Sequence, residues 1–270
     1  MVEKSAGVGR TVCVTGSASG IGAATREALT ATGWRVIGVD LRDADVTGDL
    51  SKSADRDRIV TEVIELSGGV LHGLVPCAGV STPAPNHLIV SVNFYGTLAV
   101  VNGLRPALER GGDAAVVMIS SNSTTMTPGL PASEAMAYLE SDEATMIERY
   151  SDPRAFLAYP AGKLAIAYWV RRNAAAWMAG GVRLNAVAPG VIDTGMTRPL
   201  LDMPGVKESL DAIPIPRGRW GRPDEIASAI RFLLSSDSSY VVGQILFVDG
   251  GTDALLQPTA HPHPLPGGAP

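Results

Sequence analysis

Short, wholly apolar runs alternate with longer segments of helical period along most of this chain. The predicted helices span residues 20–32, 51–66, 88–108, 161–178 and 223–234, and the predicted strands span residues 11–15, 36–39, 71–75, 114–119, 182–187 and 244–248. Strands that are apolar on both faces indicate a parallel sheet covered by helices on both sides. The sequence therefore predicts an α/β fold with a single doubly wound parallel sheet.

Two segments depart from this alternation. Residues 123–156 form a connection too long for an ordinary loop, and the helix-favouring composition of residues 134–150 predicts a small helical insertion there. The tail, residues 258–270, contains five prolines and is predicted to be a flexible end rather than a strand or helix. We expect one domain over residues 1–257, followed by this Pro-rich tail.

Composition excludes several classes of function. The 270 residues carry 22 basic and 27 acidic side chains, a net charge of −5, which argues against a nucleic-acid partner. We find no apolar run near the roughly 18 residues that a membrane span needs, and no signal peptide after Met1. The two cysteines, Cys13 and Cys77, lie in apolar runs and are interpreted as small buried side chains in a reducing compartment. These features predict a cytoplasmic protein without a membrane partner.

A glycine-rich turn follows the first predicted strand. Gly16, Gly20 and Gly22 permit a tight turn and close backbone approach, and the helix behind them supplies free amides at its positive end. A dinucleotide pyrophosphate needs these three features, so the segment predicts a dinucleotide site.

The second predicted strand ends at Asp40, 24 residues beyond Gly16. A carboxylate there can accept hydrogen bonds from both ribose hydroxyls and would repel a 2′-phosphate, so we predict NAD rather than NADP. Arg42 is the contrary feature, and a turn-capping role for Asp40 is the alternative.

Tyr159 and Lys163 stand at positions i and i+4, so they are neighbours on one helix face. A Tyr pKa of about 10 is too high for a base at neutral pH, and a nearby cation would lower it. We expect Lys163, together with an oxidised nicotinamide ring, to lower the pKa of Tyr159. A Tyr and a Lys at this spacing are more often an ordinary surface pair, so the pair indicates a catalytic role only in combination with the other motifs of the chain.

Taken in order, these motifs resemble the short-chain dehydrogenase/reductase family over residues 11–251, with a Rossmann-like fold. The matching pieces are residues 15–22, Asp49 and Leu50, Cys77 to Gly79, Asn93, Ser120 and Ser121, Tyr159 with Lys163, Asn185, Pro189 and Gly190 with Thr194, and residues 249–251. The long segment between Ser121 and Tyr159 is similar to the bacterial 3α-hydroxysteroid dehydrogenase/carbonyl reductase branch of that family. The resemblance implies a homodimer or homotetramer, although the insertion could obstruct the helix pairing by which many relatives tetramerise.

The resemblance also implies roles for individual residues. Tyr159 would be the general acid–base, Ser121 would hydrogen-bond the substrate oxygen, Lys163 would lower the pKa of Tyr159 and bind ribose, and Asn93 would hold a helix bend and a proton-relaying water. A helix-interior Asn bonded to backbone is the alternative for Asn93, and Ser120 is the alternative to Ser121. The residues implied to contact the cofactor are Gly16, Ser19, Gly20, Ile21, Gly22, Asp40, Leu41, Asp49, Leu50, Cys77, Ala78, Gly79, Tyr159, Lys163, Pro189, Gly190, Ile192 and Thr194.

Three departures from the family pattern bear on these roles. Cys77 stands where Asn is usual, and Pro160 directly follows the Tyr. Either the helix begins near Pro160, or a helix starting at residues 152–153 bends there. The separation of Ser121 from Tyr159 is 38 residues, so the extra residues should form helices beside the cleft.

The substrate side is predicted to be apolar. Residues 191–215 resemble the family's lid and include Met196 and Leu200, which we expect to contact substrate with Ser121 and Tyr159. Met126 and Leu130 of the insertion are expected on the opposite wall; the alternative is that lid residues only pack onto the body. No metal site is expected, since His261 and His263 are too few for one.

The residues therefore favour an NAD-dependent oxidoreductase that interconverts a hydrophobic secondary alcohol, such as a 3α-hydroxysteroid, and its ketone. A dehydrogenase of another alcohol, terpenoid or aryl, would use the same machinery. A non-catalytic dinucleotide-binding protein on the same fold is the alternative from another class, but it would be expected to lose Tyr159 or Lys163.

Overall fold

The computed structural model describes residues 9–203 and 205–260. Seven parallel strands form one sheet in the order β3-β2-β1-β4-β5-β6-β7. They are β1 (Thr11–Thr15), β2 (Arg35–Asp40), β3 (Val46–Thr47), β4 (Gly73–Pro76), β5 (Ala114–Ile119), β6 (Val182–Pro189) and β7 (Ile245–Val248). The predicted doubly wound parallel sheet is confirmed, with the two-residue β3 as an additional edge strand.

Eleven α-helices are found in the described residues. They are α1 (Gly20–Ala31), α2 (Ser53–Leu66), α3 (Asn86–Val90), α4 (Thr97–Gly111), α5 (Ser123–Met126), α6 (Ala132–Glu140), α7 (Glu143–Arg149), α8 (Ala158–Ala179), α9 (Val206–Asp211), α10 (Pro223–Leu234) and α11 (Thr252–Leu256). Two short 3-10 turns, Arg198–Asp202 and Ser236–Ser238, accompany them.

The sheet is buried on both faces, which explains its continuous apolar strands. Val12 and Val14 of β1 pack in one cluster with Leu29 of α1 and Ile230 of α10. Cys13, between them, points into the opposite cluster, which contains residues of α2, α4 and α8. Alternate residues of a strand face opposite sides, so each side of β1 needs an apolar residue.

The helix predicted over residues 88–108 is interrupted. A π-helical turn, Ser91–Gly96, separates α3 from α4. Gly96 lies so close to Leu50 that a Cβ on it would stand 2.5 Å from the Leu50 carbonyl oxygen. The π-helical turn therefore lies where this run passes the loop after β3.

The continuous run 86–111 is long and apolar enough by composition to cross a membrane, so the expectation that no segment reaches this length was wrong. In the structure 56% of its most apolar 18-residue window is buried inside the molecule. Its buried residues, including Val100 and Leu104, belong to the main core cluster. The run therefore packs in the interior of the domain, as a core helix does.

The segment 123–156 contains α5, α6 and α7, in place of the single helical stretch expected over residues 134–150. Tyr138 of α6 packs 3.4 Å from the position of a Cβ on Gly162 of α8, and its hydroxyl donates to the Ala158 carbonyl at 2.8 Å. Arg56 of α2 forms a two-bond ion pair with Glu143 of α7, each bond 2.7 Å. The insertion is therefore packed against the body of the domain.

Helix α8 begins at Ala158, which resolves the alternatives for Pro160. Pro160 occupies the first turn, where its missing N–H has no helical partner to lose. The alternative of a helix that starts near residue 152 and bends at Pro160 was wrong.

Candidate active site

A large cavity lies at the carboxyl edge of the sheet, where the strand order reverses between β1 and β4. Ligands of doubly wound sheets bind at this switch point because the loops diverge there to opposite faces. The cavity has a volume of about 760 Å³. Every residue that the sequence assigned to cofactor contact lines it, from Gly16 in the first loop to Thr194 in the lid.

The glycine turn brings backbone close to backbone. A Cβ on Gly16 would stand 2.8 Å from Ala78 Cα, and a Cβ on Gly22 would stand 2.0 Å from the Gly16 carbonyl oxygen. Gly16 and Gly20 also have φ of +68° and +53°. Residues with a side chain would close this turn, so the glycines keep the N-terminus of α1 open to a ligand.

Asp40 ends β2 beside this turn. Its Oδ2 accepts from the Ala18 backbone N–H at 2.9 Å, and its Oδ1 accepts from the Leu41 N–H at 2.7 Å. The carboxylate is thereby fixed at the cavity wall. The turn-capping role foreseen from the sequence is therefore observed, and the contact of Asp40 with a ribose stays a prediction.

The loop after β3 forms the wall at Asp49 and Leu50. Asp49 Oδ1 accepts from the Ser51 N–H at 2.9 Å and the Ser51 hydroxyl at 2.7 Å. Arg56 donates from Nε to the Leu50 carbonyl at 2.6 Å. Leu50 is therefore held by the same arginine that pairs with the insertion.

Residues 77–79 form the wall beyond β4. The Ala78 N–H donates to Thr15 Oγ1 at 3.0 Å, which ties this wall to β1. Burial raises the pKa of the Cys77 thiol to about 12, so the thiol stays protonated and unreactive at neutral pH.

Asn93 lies in the π-helical turn and is not a wall residue. Its Oδ1 accepts from the Val80 N–H and its Nδ2 donates to the Val80 carbonyl, both at 2.8 Å. The backbone-bonded alternative is therefore observed, and it fixes the loop after Gly79 to the bend in the helix.

Ser121, Tyr159 and Lys163 are brought together at the cavity by β5 and α8. The Ser121 hydroxyl lies within reach of Tyr159, and its Oγ accepts from the Ser123 N–H at 3.1 Å. Lys163 Nζ donates to the Ile119 carbonyl at 3.0 Å and lies 5.7 Å from the centre of the Tyr159 ring. A hydroxyl pair and an amine thus converge on one point of the wall.

Ser120 points away from this point. Its hydroxyl donates to the Lys163 carbonyl at 2.9 Å, and its side chain is buried. Adjacent residues of extended chain face opposite sides. Ser121, not Ser120, therefore lies with Tyr159, while Ser120 joins the end of β5 to α8.

Burial dominates the ionisation of this group. It raises the pKa of Tyr159, which the hydrogen bond with Ser121 offsets in part, and it lowers the pKa of Lys163 to about 8. The expected lowering of the Tyr159 pKa involves Lys163 together with an oxidised nicotinamide ring, and it stays a prediction; without that ring, burial is the largest influence on this pKa. Desolvation disfavours both charges, and the amine is held at the Ile119 carbonyl rather than at the phenol oxygen.

The lid covers the other side of the cavity. Gly20 and Thr194 face each other across the turn, since a Cβ on Gly20 would stand 3.6 Å from Thr194 Cγ2. Met196 lines the cavity with 43% of its surface exposed. The side chain of Leu200 lies outside what the structure describes.

The two insertion residues expected in the cleft separate. Met126 lines the cavity, but Leu130 packs against the main core instead, so its assignment to the cleft was wrong. Leu130 follows the turn after α5, and the packing of the insertion onto the body decides which way it faces.

Several wall residues were not foreseen from the sequence. They carry no chemical signature, only apolar or hydroxyl side chains that the fold turns inward: Val80, Ser81, Thr82, Leu88, Val92, Thr127, Phe156, Leu210 and Ile213. Phe156 could have been found from its position along the chain, because it lies only three residues before Tyr159.

The walls fit a dinucleotide. The glycine cradle, the fixed Asp40 carboxylate and the long cavity from Leu41 to Tyr159 suit a ligand with a pyrophosphate between two nucleosides. Across residues 9–203 and 205–260 no group of three or more His, Cys, Asp or Glu side chains could hold a metal ion. His261 and His263 lie outside the described residues.

Known proteins resemble this chain along almost its whole length. A family profile described as short chain dehydrogenase matches residues 10–133, and one described as enoyl-(acyl carrier protein) reductase matches residues 144–253. The 3-alpha-hydroxysteroid dehydrogenase/carbonyl reductase of Comamonas testosteroni is 38% identical over 253 residues, which cover 92% of this chain and 98% of that protein.

Two further relatives give the same picture. Cis-4-hydroxycyclohexanecarboxylate dehydrogenase of Sinomonas cyclohexanicum is 32% identical over 275 residues, covering 91% of this chain and 97% of that protein. The crystal structure of the 3-alpha-hydroxysteroid dehydrogenase from Pseudomonas sp. B-0831 complexed with NADH superposes with a TM-score of 0.88 at 43% identity, covering 93% of this chain and 99% of that one.

Proposed function

This chain belongs to the short-chain dehydrogenase/reductase family, and on that premise we propose that it is an NAD(H)-dependent oxidoreductase interconverting a hydrophobic secondary alcohol and its ketone. The observation that carries the proposal is the convergence of Ser121, Tyr159 and Lys163 on the wall of a dinucleotide-shaped cavity. That convergence brings a proton donor and a supporting hydroxyl to one place.

The roles follow from this geometry. In ketone reduction the Tyr159 hydroxyl gives its proton to the carbonyl oxygen, and Ser121 donates a hydrogen bond to the same oxygen. The bound dinucleotide supplies the hydride. Since burial keeps Tyr159 protonated, the resting protein holds the acid that reduction needs. Lys163 would return a proton to Tyr159 after the reaction, and it would bind the nicotinamide ribose.

Asp40 supports NAD as the cofactor. The backbone N–H groups of Ala18 and Leu41 hold its carboxylate at the cavity wall. A fixed negative charge there repels a 2′-phosphate, and the N–H groups keep it from turning away. Arg42 is largely exposed and points its charge toward Asp43, 4.0 Å away.

The walls also support an apolar, uncharged substrate. Met126, Phe156 and Met196 are large apolar side chains in the walls of the cavity, and Lys163 is the one cation among the residues that line it. These apolar walls favour a 3α-hydroxysteroid or its ketone, and a terpenoid or aryl alcohol is the second candidate. A binding-only role is disfavoured because the proton donor and its partners are all in place.

We also propose a cytoplasmic homodimer or homotetramer. Phe232, Tyr240 and Leu246 are large apolar side chains exposed around the β7 edge of the sheet, where a second copy could cover them. Sedimentation of the purified protein would distinguish the two assemblies from a monomer.

A substrate panel tests the function. NADH oxidation would be followed with steroid ketones, cyclic ketones and aryl aldehydes, and we expect the steroid and cyclic ketones to be reduced fastest. Tight NADH binding with no turnover of any ketone would contradict an enzymatic role. Turnover of aryl aldehydes alone would favour the second substrate class.

A further inference from the structure

We infer that Phe156 sets the preference for bulky substrates, and that a second cavity in the insertion receives the far end of such a substrate. This inference rests on the proposed function, because it concerns the same catalytic site. It adds a substrate subsite that the catalytic group and the lid do not include.

Phe156 is an exposed aromatic side chain at the mouth of the catalytic cavity. Its surface is 73% exposed, although it lines that cavity three residues before Tyr159. The loop that carries it is anchored by Asn86, whose Nδ2 donates to the carbonyls of Tyr150, Asp152 and Ala155 at 3.0–3.2 Å. These hydrogen bonds hold the backbone of the loop beside Phe156, so the ring is carried at a defined place on the cavity wall.

The second cavity, here called the insertion cavity, lies on the other side of Phe156 and has a volume of about 310 Å³. Phe156 belongs to the walls of both cavities. The remaining lining residues are Glu134, Arg149, Tyr150, Arg154, Ala155 and Leu157. A substrate long enough to pass over Phe156 would therefore enter the insertion cavity.

The charges in the insertion cavity already satisfy one another. Arg149 donates from Nε to Glu134 at 3.0 Å, and the Tyr150 hydroxyl donates to the same carboxylate at 2.5 Å. Arg154 pairs with Asp152 at 2.8 Å. Since each arginine has its own carboxylate, an anion gains little here, and the site suits the neutral end of a polycyclic ketone or alcohol.

The geometry also explains why size should matter. A one-ring ketone held at Tyr159 can be surrounded by the catalytic cavity alone, whereas a four-ring ketone must extend past its mouth. The exposed face of Phe156 then becomes buried against the substrate, which favours binding in proportion to the apolar area covered. Loss of the ring should thus affect only substrates that reach it.

The test compares two ketones in matched variants. The specificity constant kcat/KM would be measured with NADH for cyclohexanone and for a neutral four-ring steroid ketone in the wild type, Phe156→Ala and Phe156→Trp. Leu66→Ala is the control, because Leu66 is an exposed apolar side chain of α2 that lines neither cavity.

We expect Phe156→Ala to lower kcat/KM about tenfold for the steroid ketone, mainly through KM, equivalent to about 1.4 kcal/mol. The same variant should change the value for cyclohexanone less than twofold, and Phe156→Trp should retain the steroid activity. Equal losses on both ketones, or no loss on either, would overturn the inference. If the wild type reduces neither ketone, the proposed function itself fails, and the two failures are thus distinguishable.

A second variant tests the insertion cavity separately. Ala155→Phe places a ring in that cavity, so it should also lower kcat/KM for the steroid ketone and leave cyclohexanone unaffected. Circular dichroism and NADH fluorescence titration would show whether this variant keeps its fold and its cofactor site. A folded Ala155→Phe variant with unchanged steroid activity would remove the insertion cavity from the inference, and Phe156 would have to act at the mouth alone.

Discussion

Lys163 should destabilise the protein at neutral pH, and Lys163→Met should relieve that cost. Only 7% of the Lys163 surface is exposed, and burial lowers its pKa from 10.5 to about 8. Each pKa unit corresponds to about 1.36 kcal/mol, so protonated Lys163 costs about 3 kcal/mol of folding free energy below pH 8. Removing its hydrogen bond to the Ile119 carbonyl costs about 1 kcal/mol.

The burial cost of the charged amine and the loss of its hydrogen bond together make the stability difference between Lys163→Met and the wild type depend on pH. The unfolded chain binds more protons than the folded protein between pH 8 and 10.5, so the wild type gains stability as the pH rises through this window. We therefore expect Lys163→Met to be about 2 kcal/mol more stable than the wild type at pH 7, and about equally stable near pH 10.

Urea unfolding of the two proteins without cofactor, at pH 7 to 10, measures this difference. Lys207→Met is the control: Lys207 is exposed, and its hydrogen bond to Asp211 raises its pKa, so its effect should be constant below pH 10. A Lys163→Met variant that is less stable at pH 7, or a difference that does not change with pH, would refute the reasoning.

Two further predictions concern the cofactor and the insertion. Asp40→Ala should raise the NADP/NAD ratio of kcat/KM at least about tenfold, because it removes a repulsion of about 1.4 kcal/mol between the carboxylate and the 2′-phosphate. The double variant Asp40→Ala/Arg42→Ala should lose part of that gain. An unchanged ratio in initial-rate assays would mean that Asp40 is a turn residue only. Glu143→Ala leaves the buried Arg56 guanidinium without its carboxylate partner and should lower the free energy of unfolding by about 3 kcal/mol. The control Glu62→Ala removes an exposed ion pair and should lower it by less than about 1 kcal/mol. Equal losses in urea unfolding would mean that the buried ion pair stabilises the protein no more than the exposed one.

The sequence predicted the parts of the site that depend on backbone geometry and on order along the chain. Gly16 and Gly22 are recognisable because only glycine permits the close backbone approach seen there, and Gly20 because of its positive φ. Asp40 is recognisable because it ends the second strand of an apolar alternation. These features are local, so tertiary packing could not displace them.

Features decided by tertiary packing were not predicted. Leu130 turned to the core and Phe156 to the cavity, although both are apolar residues of one irregular segment. The pKa of Tyr159 rises because of burial, which spacing along a helix does not show. The π-helical turn at Ser91–Gly96 lies against the distant Leu50 carbonyl, a proximity that the local sequence does not show.

The central claim is that the Tyr159 hydroxyl transfers the substrate proton, and Tyr159→Phe tests it most directly. Tyr168→Phe, a change on the same helix outside the cavity wall, is the matched control. We expect Tyr159→Phe to bind NADH with the wild-type dissociation constant and to lose at least about a hundredfold in kcat, while the control keeps full activity. Wild-type turnover by Tyr159→Phe, with NADH binding intact, would contradict the account.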